Sequence, residues 1–312
     1  MAHILEVGSL NMDLVVRMPA IPRPGETLLG GIFKTFPGGK GANQAVAAAR
    51  LGGQVSMIGC VGADPFGEEL RGQVGKEGID TAHIKIDPQV ATGVALITVD
   101  AQGNNSISVA SGANFAFTAE DVKTAWPRLA PVDWVVMPLE TPLDTITAAV
   151  TLAKRNGAKV ILNPAPACEL PAGLLTQIDV FVPNEHEAAF YTGITITDMK
   201  TARRAAVRLM EMGVGSAILT LGDRGALVIE TAAGQQVEMV IPRLDVQVVD
   251  TTAAGDAFVG ALAVALSEGR PLVEAAQFAN AAAALSVTRA GAQPSLPYRQ
   301  EVEEFIHLRN LP

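Results

Sequence analysis

The chain has 312 residues, with 49% hydrophobic and 4% aromatic content and a net charge of −9 from 32 acidic against 23 basic residues. It carries no Lys/Arg run of the kind that binds nucleic acid, and no apolar stretch of the ~18 residues that would suggest a membrane span. Its two cysteines form no C-x-x-C, so metal or redox use of them is not expected.

The N-terminus enters a strand pattern at once, without a basic segment leading an apolar one, so a cytoplasmic protein is expected. Residues 3–8 read as a first strand ending at Gly8-Ser9, and Asn11 and Asp13 follow. In open α/β sheets ligands bind at that end, and the spacing puts both polar side chains on one face. A surface strand with polar residues outward fits the same spacing. Pro19, Pro22, Pro24 and Gly25 mark a loop, and Thr27 to Phe36 reads as a strand.

Pro37-Gly38-Gly39-Lys40-Gly41-Ala42-Asn43-Gln44 then opens a helix that Gly52-Gly53 stops. A glycine-rich turn leading into a helix, with Lys40 inside it, is a candidate anion or sugar site. It is not a Walker A loop, because Gly41 stands where Ser or Thr is required. A strand over 54–59 and a helix over 65–77 set up a strand–helix rhythm. It is interrupted by 93–99 and 105–110, which alternate around a turn at Asp100 to Asn104 and predict a hairpin. With 12–18 and 28–36 that hairpin forms a small separate sheet, the natural candidate for a lid, drawn from about 12–38 and 92–111.

From 118 onward the rhythm resumes: helices over 118–128, 142–156, 185–192 and 200–212, and strands over 132–138, 158–162, 177–182 and 216–221. This predicts one α/β domain over 1–312, with a mostly parallel sheet and helices on both faces. Polar residues collect where strands end: Glu140, Asn163, Asn184 with Glu187, and Thr220-Leu221-Gly222-Asp223-Arg224-Gly225. Recurrence at one sheet edge predicts a ligand crevice there. His186-Glu187 does not begin a zinc-hydrolase helix, since residue 190 is Phe. There is no G-x-S-x-G for a serine nucleophile.

The most informative stretch is Asp250-Thr251-Thr252-Ala253-Ala254-Gly255-Asp256. Leu244 to Val249 before it reads as a strand, and Ala257 to Leu266 after it as a buried helix. A turn through small residues into a helix presents N–H groups and a positive dipole end, with Asp256 in the first turn beside them. That arrangement suits transfer of a charged group to a hydroxyl. Asp256, Thr251 or Thr252 acting as a plain helix cap fits the local pattern equally. The chain closes with an Ala-rich helix from Leu272 to Thr288 and a last helix over 298–308.

Taken in order, Gly8-Ser9-Leu10-Asn11-Met12-Asp13, Gly38 to Asn43, Leu162 to Ala167, Pro183-Asn184-Glu185-His186-Glu187 and Asp250 to Asp256 resemble the ribokinase family of carbohydrate and nucleoside kinases, from about Val7 to Ser295. The resemblance implies a three-layer α/β fold with a β-sheet lid and an ATP-dependent kinase acting on the primary hydroxyl of a small sugar. D-Ribose is the first expectation; 2-deoxyribose, a ketohexose, adenosine, or a non-catalytic sugar- or nucleotide-binding role are the alternatives. It implies Asp256 as base, Ala253, Ala254 and Gly255 as an anion hole, and Asn11, Asp13, Gly39, Lys40, Asn43 and Glu140 around the sugar. Asn184 and Glu187 would organise Mg²⁺ and the phosphates through water. Thr220, Gly222, Asp223, Gly225 and Asn280 would line the nucleotide. A K⁺ site would use the side chain of Asp250 and the carbonyls of Thr252, Ser286, Arg289 and Gly291, near Ser295. Many members carry Gly where this chain has Ala253, and Ala does not easily take a left-handed backbone. Apolar residues on both faces of the lid (Leu14, Val16, Val94, Leu96, Ile107, Val109) lead to the expectation of a homodimer through the lid.

Overall fold

The structure is a computed structural model; it describes residues 2–232, 234–309 and 311. The chain runs β1 (His3–Val7), β2 (Asn11–Arg17), β3 (Ile32–Gly38), α1 (Lys40–Arg50), β4 (Gln54–Gly62), α2 (Pro65–Lys76), β5 (Asp80–Asp87), β6 (Gly93–Val99), β7 (Asn105–Ala110), α3 (Ala119–Ala125), β8 (Trp134–Met137), α4 (Leu143–Arg155), β9 (Lys159–Leu162), β10 (Val180–Phe181), α5 (Glu185–Thr192), α6 (Met199–Glu211), β11 (Ser216–Thr220), β12 (Ala226–Ala232), β13 (Gln235–Ile241), α7 (Ala254–Ser267), α8 (Leu272–Ser286) and α9 (Arg299–Leu308).

A nine-stranded sheet is ordered β13-β12-β11-β10-β9-β8-β1-β4-β5, parallel from β11 to β5 with β12 and β13 antiparallel at one edge. Its inner strands are largely apolar on both faces because both faces are covered, whereas the edge strands β5 and β13 are polar and partly exposed. One core holds α1, α2, α7, α8 and α9; the other holds α3, α4, α5 and α6. Alternation along β1 sends Ile4 to the first core and Leu5 and Val7 to the second. Glu6 shares the face of Ile4, yet it is a carboxylic acid, buried, with no partner for Oε1. The packing of α1 on α7 is close: a Cβ on Gly260 would lie 2.6 Å from Ala47 Cβ. That approach fixes which α1 residues face the start of α7.

A separate four-stranded sheet, β3-β2-β6-β7, stands beside the large one. The 93–99/105–110 hairpin is present as expected, and β2 joins it in parallel while β3 pairs β2 antiparallel. β3 begins at Ile32, not at Thr27.

Three features depart from the sequence reading. Residues 80–87, 226–232 and 235–241, given no element there, are sheet strands. Leu244 to Val249, expected as a strand, is a connection in which Val249 N–H and the Asp250 N–H that follows donate to Val287 O. Its β-branched residues give an extended chain but no ladder, because α8 rather than a strand lies beside it. Ala253, where left-handed backbone was expected to be hard, has φ 59° and ψ 12°. Among the described residues it is the one non-glycine with positive φ.

Candidate active site at the start of α7

Asp256 lies in the first turn of α7 with 5% of its surface exposed. It caps nothing: the N-cap is Ala253, which makes no side-chain cap bond, and Thr252 Oγ1 donates back to Asp250. The Asp256 carboxylate faces α1. Asn43 Nδ2 donates to Oδ2 over 2.9 Å and Gln44 Nε2 donates to Oδ1 over 3.0 Å. Burial raises its pKa, opposed by the Lys40 ammonium and by these two amides. Lys40, the first residue of α1, has its own pKa raised chiefly by Asp256.

Ala253 places α7's first turn against an inner cavity of about 210 Å³, lined by Lys40, Asn163, Asn184, Glu187, Thr251, Ala253, Ala254, Gly255 and Asp256. A helix start leaves N–H groups without intrahelical partners, and small side chains let an anion reach them. Of these groups, Ala254 N–H is used by Thr251 O at 3.3 Å. A second cleft of about 600 Å³ opens beside it, lined by Thr220, Gly222, Asp223, Gly225, Leu244, Val246, Val248 and Asn280. The two share Asn184, Thr220, Thr251, Ala254 and Gly255, so they meet at the start of α7. The connection that failed as a strand is therefore a wall of the larger cleft. Asn280 Nδ2 donates to Pro242 O across it at 3.0 Å.

On the other side of Asp256 lie the polar residues from β1, β2 and β8. Ser9 Oγ donates to Glu140 Oε2 over 2.6 Å, and Lys40 N–H donates to the same oxygen over 3.1 Å. Asn11 Oδ1 accepts from Asn114 Nδ2, whose amide also pairs with the backbone of Leu10. Gly39 is left-handed at φ 89°, and a Cβ there would lie 2.7 Å from Asn11 N, so glycine lets the turn close onto β2. Burial, then Glu140 and Asp256, push Asp13 up to about 7. Ser9, Gln44 and Asn114 were not marked as site residues from sequence. For Ser9 a signal existed, since it lies inside a recognised motif, and Gln44 directly follows another.

Asn184 and Glu187 form a complete capping box at α5. Asn184 Oδ1 accepts from Glu187 N–H at 2.9 Å, while Asn184 N–H and Nδ2 donate to the two Glu187 oxygens at 2.8 Å each. Thr220 is tied to this turn by its N–H to Pro183 O. Gly222 and Asp223 make a short 3₁₀ turn closed by left-handed Gly225. Asp250 accepts from Thr252 N–H, Thr252 Oγ1 and Gly291 N–H at 2.9, 2.6 and 2.9 Å, which joins the loop before α7 to the loop after α8. Ser286 O accepts from Arg289 N–H, Arg289 pairs with Glu301, and Ser295 Oγ donates to Ala292 O. Among the described residues no group of three or more His, Cys, Asp or Glu side chains is placed to hold a metal ion.

A mostly parallel α/β sheet with a small side sheet, and a buried Asp at a helix start whose first turn borders two adjoining clefts, fit a phosphotransferase acting on a hydroxyl. The pattern described as pfkB family carbohydrate kinase matches residues 1–299. The chain belongs to that family and is a carbohydrate kinase, as the motif resemblance implied. It is 44% identical to a ribokinase of Haemophilus influenzae over 96% of this chain and 97% of that one. It is 37% identical to a deoxyribokinase of Salmonella typhi, over 98% and 99%. The structure of Arabidopsis thaliana ribokinase complexed with ribose and ATP superposes with a TM-score of 0.87 at 31% identity, covering 98% of both chains.

Proposed function

We propose that this protein transfers the γ-phosphoryl group of ATP to the primary 5-hydroxyl of D-ribose, giving ribose 5-phosphate and ADP. One observation carries the site assignment: Asp256, buried and gripped by amides, lines the inner cavity in the helix turn whose Ala254 and Gly255 also line the larger cleft. In this reading Asp256 takes the hydroxyl proton while the turn at Ala253, Ala254 and Gly255 holds charge on the phosphoryl oxygens. Lys40 stands on the same side, its charge favoured by Asp256. Asn11, Asp13, Gly39, Asn43 and Glu140 receive the sugar's other hydroxyls, each of which needs a partner on leaving water. Asn184, Thr220, Gly222, Asp223, Gly225 and Asn280 run along the nucleotide.

The donor sets fit two ions. Glu187 already accepts from Asn184 at both oxygens, so a Mg²⁺ beside the phosphates would be held through water, and it would neutralise charge on the transferred group. Asp250 ties Thr252 to Gly291, so a K⁺ held by Asp250 and the carbonyls of Thr252, Ser286, Arg289 and Gly291, near Ser295, would strengthen the field of the anion hole. The small sheet acts as a lid that excludes water. Leu96, Ile107 and Val109 are each more than half exposed on it, which supports a homodimer through this sheet. Among the described residues no helix is long and apolar enough to cross a membrane; we place the protein in the cytoplasm.

The identity to a deoxyribokinase keeps 2-deoxyribose as the second reading. ADP release from Mg·ATP with ribose, 2-deoxyribose, fructose, adenosine or no sugar, each in K⁺ and in Na⁺, separates them. Fastest turnover with ribose, enhanced by K⁺, is expected. Preference for another acceptor would overturn the substrate, and equal rates in both salts would overturn the cation site. Light scattering at micromolar concentration tests the dimer; a monomer refutes it.

A further inference from the structure

Gln44 is fully buried on α1, one residue beyond Asn43. Its Nε2 donates to Asp256 Oδ1 over 3.0 Å and to Asn163 Oδ1 over 3.1 Å. Both N–H groups are thus spent on acceptors. Turning the amide over would set Oε1 against two oxygens, so its orientation is determined. Asn163 in turn donates Nδ2 to Val182 O over 2.9 Å, immediately after β10. Gly260 on α7 passes so near that a Cβ there would lie 2.7 Å from Gln44 O, so α1 packs closely on the helix that carries Asp256. The amide oxygens of both Gln44 and Asn43 are buried without a partner, but Asn43 makes a single side-chain bond, from Nδ2 to Oδ2, with nothing tying its amide to a strand end. Two neighbouring amides therefore grip the carboxylate in different ways. One is locked from behind; the other stands on the side of the sugar residues.

We propose that Gln44 is a positioning residue for the reaction: it pins Oδ1 of Asp256 and ties that orientation through Asn163 to the strand ends, leaving Oδ2 to be handed from Asn43 to the acceptor hydroxyl. This rests on Asp256 being the base. As the bond from the sugar oxygen to the γ-phosphorus forms, the hydroxyl proton moves to Oδ2. The bond from the γ-phosphorus to the β,γ-bridging oxygen breaks, and its electron pair leaves with ADP. A pinned Oδ1 keeps Oδ2 in line with the attacking oxygen, where small misplacements are costly.

The test compares Gln44→Met, which keeps length but donates nothing, with Asp256→Asn and wild type. For Gln44→Met, kcat should fall by ~10-fold or more with little change in sugar KM. The acid limb of kcat/KM should move up by about one pH unit, because a donor to the carboxylate is lost. A residue that serves folding alone would lower the yield of active enzyme without moving that limb. Unchanged kcat and an unchanged limb in Gln44→Met, with Asp256→Asn inactive, would overturn the positioning role. Near-wild-type turnover in Asp256→Asn would overturn the base assignment and the proposal with it. Should Gln44→Met not fold, Asn163→Ala cuts the same chain at its other end. The same upward shift is expected there, and an unmoved limb counts against the proposal.

Discussion

Ser9 and Glu140, 131 positions apart, meet through a 2.6 Å hydrogen bond from the serine hydroxyl to Oε2. The same oxygen accepts from Lys40 N–H, so the ends of β1 and β8 and the start of α1 converge on one carboxylate. Glu140→Ala should raise the sugar KM by ~10–100-fold, the worth of a hydrogen bond to a charged group, with a smaller effect on kcat. Steady-state kinetics with varied sugar checks it; an unchanged KM would remove Glu140 from the sugar site.

Asp256→Asn should lower kcat by at least ~10²-fold with the fold intact. Circular dichroism and a melt establish the fold, and single-turnover rates establish the chemistry.

Asp13 is pushed up to about 7 by burial and by the carboxylates of Glu140 and Asp256. The ionised form accepts a sugar hydroxyl best. Sugar affinity should therefore rise as pH climbs from about 6 to about 8, through the range in which Asp13 loses its proton. Calorimetry across that range tests this, and Asp13→Asn should flatten the dependence.

Glu6 is held well above the usual carboxylate range by burial and by Asp256. The folded protein thus keeps a proton that the unfolded chain releases. Its contribution is most favourable below the unfolded-state pKa and is lost as pH rises from there through the folded-state value. Glu6→Gln should stabilise the protein at neutral pH, because the amide stays neutral without having to retain a proton. The gain should be smaller in acid. Melting curves at about pH 5 and about pH 8 measure it; an equal shift at both would refute the titration.

Ala253 occupies left-handed backbone at a cost of about 1–2 kcal/mol. Ala253→Gly relieves that strain but adds freedom to the unfolded chain, so a net gain of about 0.5–1 kcal/mol is expected, with turnover kept. Ala253→Val should destabilise and lose activity together, because a β-branched residue cannot hold the left-handed turn on which the proposed anion hole depends. Denaturant midpoints and kcat for the pair decide it.

Much of the sheet was legible because its signals are local. The 93–99/105–110 hairpin follows from alternation around Asp100 to Asn104, and the strand–helix rhythm from 118 onward follows from period and caps. Ala226 to Ile229, an apolar run, could have been read as β12, whereas Leu244 to Val249 has strand composition and no strand to pair with. Pairing is a property of neighbours, which composition does not name. The motifs marked Asn43 and Asp256 as chemistry-bearing and left Gln44 unmarked beside them. Only the crossing of α1 over α7, 212 residues apart in the chain, sets Gln44 and Asn43 on the two oxygens of Asp256. The left-handed turn at Ala253 is likewise decided by tertiary structure. The backbone must bend there to bring Asp250 to Gly291 and the start of α7 to the clefts, against the local preference of alanine.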